Sequence, residues 1–157
     1  MKLYEALAMK ASLQAQLIQL ISIRNRTQEY PEDEQPEFNF DQLTSEIKSV
    51  VKKLSKLKVE IARANMDTTL SNGKTLFASI IELQDLRSTV NQIKGLMHIE
   101  GRFGWGIDKR TKKEDVKMRK QKDPQALLGM LSQYQQRKNA LDYLIQGANH
   151  RIEIPEP

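Results

Sequence analysis

The sequence predicts a mainly α fold: an elongated four-helix bundle built of helical hairpins, with a short two-stranded β-hairpin between the third and fourth helices. Three observations point there. Leu43, Ile47, Val50, Leu54, Leu57, Ile61 and Ala64 recur in unbroken spacings of four and three, the period of a helix packed lengthwise on another. Glycine (7) and proline (5) are scarce in 157 residues, so turns are few and elements long. One stretch alone, Arg102 to Lys122, abandons the helical period for a two-residue alternation.

Each element has its own signal. The first helix is expected over about residues 2–28. Leu3, Ala6, Leu13, Leu17 and Leu20 form its stripe, widened by Leu7, Ile18 and Ile21, with Lys10 at an otherwise apolar position. Lys10 either sets register or lies at a frayed end. Glu29 to Asn39 carries Pro31 and Pro36, which do not suit a helix interior, and reads as a surface loop. Phe38 and Phe40 flank the entry to the second helix, expected over 41–66 with Asp41 as its cap, and pack on a neighbouring helix end. Asn72-Gly73 then marks a tight turn, because both residues tolerate positive φ, and Thr75 can cap the third helix, over 75–100. Leu76, Leu83, Leu86, Val90, Ile93 and Met97 give that helix its stripe, and Gly101 is a natural stop. Asp123-Pro124 opens the fourth helix, over 124–148, with Asp at the cap and Pro at the first helical position. Its stripe runs through Leu127, Met130, Tyr134, Leu141, Leu144 and Ala148. Ile61-x-x-Ala64-Asn65 and Ile145-x-x-Ala148-Asn149 echo one another, each followed five residues later by an apolar residue, Leu70 or Ile154. This suggests that the second and fourth helices finish alike, with Asn in the left-handed conformation that closes helices.

The whole chain, 1–157, reads as one helical domain. Hydrophobic residues make up 39% and charged residues 29%, which suits long amphipathic helices better than a thick α/β core. The absence of cysteine excludes a disulfide framework, a thiol nucleophile and a zinc knuckle. Glu5 and Lys10 interrupt any hydrophobic signal core, and uninterrupted apolar runs are far shorter than the ~20 residues that cross a bilayer. A cytoplasmic location is the resulting expectation. The net charge of +5 is unevenly spread: Arg102 to Lys122 holds nine basic against three acidic residues, so any electrostatic function belongs to that segment.

Met1-Lys2-Leu3 with Glu5-Ala6-Leu7, and Ile61-x-x-x-Asn65-x-x-x-Thr69-Leu70-x-x-Gly73-x-Thr75-Leu76, resemble an uncharacterised bacterial family whose members are often labelled septicolysin-like. The resemblance extends over nearly the whole chain, with Phe103 matching the aromatic that commonly follows Arg. Gly104-Trp105-Gly106 and the lysines of 109–122 depart from the family pattern. The resemblance implies a small, mostly helical, oligomeric protein with no established catalytic residues.

No residue set carries a recognisable chemistry. His98 and His150, the only histidines, read as helix-end residues: His98 and Glu100 are two apart and share no helical face. Gly101, Gly104 and Gly106 do not follow the phosphate-cradling order. No catalytic residue, cofactor or metal is expected. The leading functional expectation is a non-enzymatic cytoplasmic protein that forms a helical homo-oligomer, because the stripes of the first and third helices are broader than one partner covers. The alternative is a nucleic-acid-binding accessory protein. Its site would be Arg102, Lys109, Arg110, Lys112, Lys113, Lys117, Arg119 and Lys120 on phosphates, with Phe103 or Trp105 stacked on bases. A third reading, a membrane-active septicolysin-like toxin, lacks both a secretion signal and an evident membrane-inserting hairpin.

Overall fold

The structure, a computed structural model, describes residues 1–102 and 121–157, with side chains over 1–97 and 121–157. The described residues form four α-helices and no strand: α1 (Leu3–Arg26), α2 (Phe40–Asp67), α3 (Leu76–Arg102) and α4 (Pro124–Arg151). The expected β-hairpin falls within 102–122, of which residues 103–120 lie outside the described residues. Arg102, where that segment begins, is the last residue of α3. Gly101 therefore does not stop the helix.

The chain divides into two compact units. One comprises residues 1–76 and 146–157, the other residues 77–145. In the first, α1 packs along α2. Six of the seven stripe residues of α2, Leu43 through Ile61, are buried, while the lysines between them face water. At roughly 1.5–3 kcal/mol per buried aliphatic side chain, this seam dominates the favourable side of α2's packing. The cap of α2 is Asn39, not Asp41: the Asn39 side chain accepts the N–H of Gln42 at 3.0 Å. Arg24 lays its guanidinium over the Phe40 ring, 5.6 Å from the centroid, so Phe40 packs on the end of α1 as expected.

Two junctions in this unit share one hydrogen-bond pattern. After α2, Thr68 N–H donates to Ala64 C=O (3.2 Å), and Thr68 C=O accepts from Leu76 N–H (2.8 Å), the first residue of α3. Leu70 N–H donates to Lys74 C=O (2.8 Å). After α4, Ile152 N–H donates to Ala148 C=O (2.9 Å), Ile152 C=O accepts from Leu3 N–H (2.9 Å), the first residue of α1, and Ile154 N–H donates to Met1 C=O (2.9 Å). Antiparallel bridges Thr69–Thr75 and Lys2–Glu153 complete the match. Leu70 and Ile154 are both buried, as are Leu76 and Leu3. The repeated Ala-Asn motif thus marks a real structural echo, but not by the expected means. No residue other than glycine takes positive φ among the described residues, and Asn65 and Asn149 lie inside helices that run on to Asp67 and Arg151.

The first junction turns through Asn72 and Gly73. Gly73 has φ 77°, and Asn72 Oδ1 accepts the N–H of Lys74 at 3.1 Å. In the second unit, α3 buries Ser79, Leu83, Leu86, Val90 and Ile93. Ser79 fills the stripe position between Leu76 and Leu83 that no apolar residue supplies, and its hydroxyl has no hydrogen-bond partner among the described residues. Two exposed ion pairs tie α3 to α4: Arg87–Asp142 at 3.3 Å and Arg137–Glu82 at 3.8 Å. Exposed pairs of this kind add at most about 1 kcal/mol each.

Two glycines give opposite predictions. Gly73→Ala places a side chain in the left-handed region and will lower stability by about 1 kcal/mol. Gly95→Ala, inside α3 where an added Cβ meets nothing within 4 Å, will raise it by about 1 kcal/mol. Chemical denaturation of both variants checks the signs.

Candidate interaction surface

The second junction draws several polar side chains together. Lys2 Nζ reaches Glu153 Oε1 at 2.6 Å. Glu5 accepts the Lys2 N–H at 2.7 Å and the Tyr4 hydroxyl at 3.1 Å. The Tyr4 ring lies against His150, centroids 4.5 Å apart. These contacts explain the local electrostatics. The Lys2 N–H, and then the Tyr4 hydroxyl, hold the Glu5 carboxyl below the usual carboxylate range. The Lys2 ammonium does the same to Glu153, and Glu5 pushes the Tyr4 phenol up. The group is a clasp between the start of α1 and the segment after α4; nothing in it resembles a nucleophile with its base.

A cleft of about 470 Å³ opens where α1 ends, lined by Ile23, Arg26, Tyr30, Pro31, Glu34 and Phe38. The acidic loop therefore folds over the last turn of α1, with Glu34 N–H donating to Pro31 C=O at 3.0 Å.

α1 itself is the anomaly. Of its 24 residues only Leu3 and Ala6 are buried. Lys10, Leu13, Leu17, Leu20 and Ile21 are half-buried, and Lys10 sits two turns inside the helix, not at a frayed end. Most of the rest is exposed, and one line within it is largely apolar. Tyr4, Ala8, Ala11, Ala15, Ile18 and Ser22 alternate spacings of four and three along it, ending at Asn25. Ile18 is 70% exposed, Tyr4 42% and Leu7, beside them, 37%. No charged residue lies on this line.

The chain supplies its own control. The matching junctions align Leu3 with Leu76, so α1 and α3 can be read position by position. On the inner stripe, α3 buries Leu83, Leu86, Val90 and Ile93, where α1 half-buries Lys10, Leu13, Leu17 and Leu20. On the outer line, α3 exposes Phe77 and Ile81 where α1 exposes Tyr4 and Ala8, and then Gln84, Ser88 and Asn91 where α1 exposes Ala11, Ala15 and Ile18. Over those last three positions the same place is polar in α3 and apolar in α1, as expected of a face built to be covered.

By length and composition α1 could cross a membrane, the one described helix of which this is true. Gln14, Gln16, Gln19 and the half-buried Lys10 are costly in hydrocarbon and ordinary between protein helices.

Of the residues expected to bind nucleic acid, Arg102 ends α3. Phe103, Trp105, Lys109, Arg110, Lys112, Lys113, Lys117, Arg119 and Lys120 lie outside the described residues. Sequence reading missed the outer line of α1 because alanines are neutral in any pattern; the signal present was the absence of charge from Ala11 to Ile23.

A model of DUF6847, a family of unknown function, matches residues 10–154. No curated protein matches the chain. The crystal structure of a functionally unknown conserved protein from Corynebacterium diphtheriae has the same fold, with a TM-score of 0.83 at 22% identity over 99% of each chain.

The clasp generates a pH prediction. Glu5 and Glu153 have folded pKa values below their unfolded ones. Their contribution to stability is therefore complete above the ordinary carboxylate range and is lost as pH falls through the lowered values. Taking the protein from about pH 5 toward about pH 3 will lower its melting temperature less in Glu5→Gln/Glu153→Gln than in the wild type. Equal slopes in differential scanning fluorimetry would refute this.

Proposed function

The chain belongs to DUF6847, and we propose that it is a non-catalytic interaction protein that works as a helical homo-oligomer. The observation that carries this reading is α1: a helix of 24 residues of which two are buried, with an uncharged, largely apolar line left exposed along its length. Apolar area left in water is a standing free-energy cost of roughly 25 cal/mol per Å², and association removes it. Self-association needs no second gene product and is the commonest arrangement of soluble assemblies. Among the described residues no set of three or more potential metal-binding side chains converges, and the clasp and cleft hold no nucleophile–base pair.

Sedimentation equilibrium of the full chain tests the reading. A stable oligomer at about 10 μM is expected, since an interface of this kind reaches micromolar affinity with about 8 kcal/mol of net association free energy. A monomer across the micromolar range would refute it.

A further inference from the structure

We propose that the outer face of α1 pairs with the same face of a second copy, antiparallel, about a two-fold axis near Gln16 and Leu17. The inference rests on the reading of the chain as self-associating and names the surface and orientation. Three observations lead to it.

The first is periodicity. The exposed line from Tyr4 to Asn25 keeps the alternating four-three repeat of a helix–helix seam. α1 thus carries two seams, one turned toward the interior of its own unit and one turned outward.

The second is shape. An antiparallel pair centred between Ala15 and Ile18 sets Ala15 against Ile18 of the partner subunit, and Ala11 against Ser22 of the partner subunit. The next layer sets Ala8 against Asn25 of the partner subunit. Each layer has alanine on one side, so the backbones approach closely, and the most exposed large side chain of this line, Ile18, meets the smallest neighbours.

The third is charge, which fixes the direction. Glu5 follows Tyr4 and Arg26 follows Asn25, so both border the seam on the same flank. They are the first-turn acid and a last-turn base of the helix. A parallel pair would put the two copies of Glu5 on opposite edges of the seam, and likewise the two copies of Arg26, so that neither meets an opposite charge. The antiparallel pair sets each Glu5 near Arg26 of the partner subunit, twice by symmetry, and opposes the two helix dipoles. Glu5 is held ionised by the Lys2 N–H and the Tyr4 hydroxyl, so the acid is ready-charged at neutral pH. The central stretch between these ends carries only Lys10, turned inward.

The cysteine-free chain makes the test direct. Ala8→Cys and Asn25→Cys variants are treated with a short bis-maleimide, singly and mixed after subunit exchange. In the antiparallel pair the two copies of residue 8 lie about 25 Å apart along the axis, at 1.5 Å rise per residue. Cross-linking is therefore expected in the mixture and not in either variant alone. Ile18→Glu, which changes an exposed side chain and leaves the helical circular dichroism intact, should weaken association at least about 100-fold. An oligomer that persists undiminished in Ile18→Glu overturns this interface while leaving self-association standing. Efficient cross-linking of Ala8→Cys alone overturns the antiparallel direction. A monomeric wild type overturns both readings. A monomer that floats with phosphatidylcholine vesicles, and loses that binding on Ile18→Glu, assigns the face to lipid and overturns the proposal.

Discussion

A leucine at the first position of a helix, its N–H bound to the carbonyl of an extended residue that follows another helix, is the interaction on which the architecture depends. It occurs twice, at Leu76 with Thr68 and at Leu3 with Ile152. Each time the leucine is wholly buried and an apolar residue two positions beyond the carbonyl is buried beside it. The hydrogen bond removes an orphan N–H from a helix start, which otherwise needs a side-chain cap. The leucine anchors the start of its stripe. One junction is continuous chain closed by a tight turn; the other joins the beginning of the chain to its last residues. The same solution serves both because the constraint is local: two helix ends, one extended residue and a buried leucine.

This repetition makes the imbalance between α1 and α3 informative. Two helices entered by the same hook, with the same stripe register, should bury and expose the same positions. They differ along the middle of the helix. Beyond the exposed Phe77 and Ile81 of its first turns, α3 has leucine, valine and isoleucine inside and glutamine, serine and asparagine outside, the ordinary division for a helix with one packed face. α1 has a lysine among its inner residues and alanine and isoleucine outside. A lysine can run its stem along apolar surface and keep its ammonium in water, so Lys10 tolerates half-burial where Leu83 requires full burial. The outer face has no such accommodation: Ile18 has nowhere polar to place its side chain.

Legibility in the sequence followed how strongly physics discriminates. The seam of α2 could be read residue by residue because Lys, Ser, Glu and Arg fill most of the positions between its apolar residues, and a stripe with charged borders admits one orientation. All four helices were legible to within three residues at each end. Ends were less so, because competing caps are nearly isoenergetic. Asn39 and Asp41 are both good acceptors at a helix start, and only the path of the chain puts Asn39 Oδ1 on the Gln42 N–H. Asn65 and Asn149 looked like terminators by intrinsic preference, but the extended residues that follow them let the helices continue. Gly101 failed as a stop because a glycine costs a helix only about 1 kcal/mol, which neighbouring residues can offset. Ser79 was invisible as a core residue, since a hydroxyl without a partner is disfavoured inside, and nothing in its spacing separates it from the exposed serines Ser71 and Ser88. The candidate surface was half legible: the breadth of α1's stripe is plain from Leu7, Ile18 and Ile21, whereas its outward seam is drawn mostly in alanine.

Alanine is the reason the outward face need not look like an interface in isolation. A leucine-rich face on a free helix would be sticky toward any apolar surface, including other chains during folding. An alanine-rich face gains little from loose contact, because each methyl contributes less than ~1 kcal/mol when buried. Its gain comes from close approach over many residues at once, which only a straight, complementary helix can provide. Such a face discriminates by geometry and leaves orientation to the few charges at its ends. In α1 those charges are opposite in sign at opposite ends and absent from the outward line between them, an arrangement that is self-complementary only when the helix meets its own reverse.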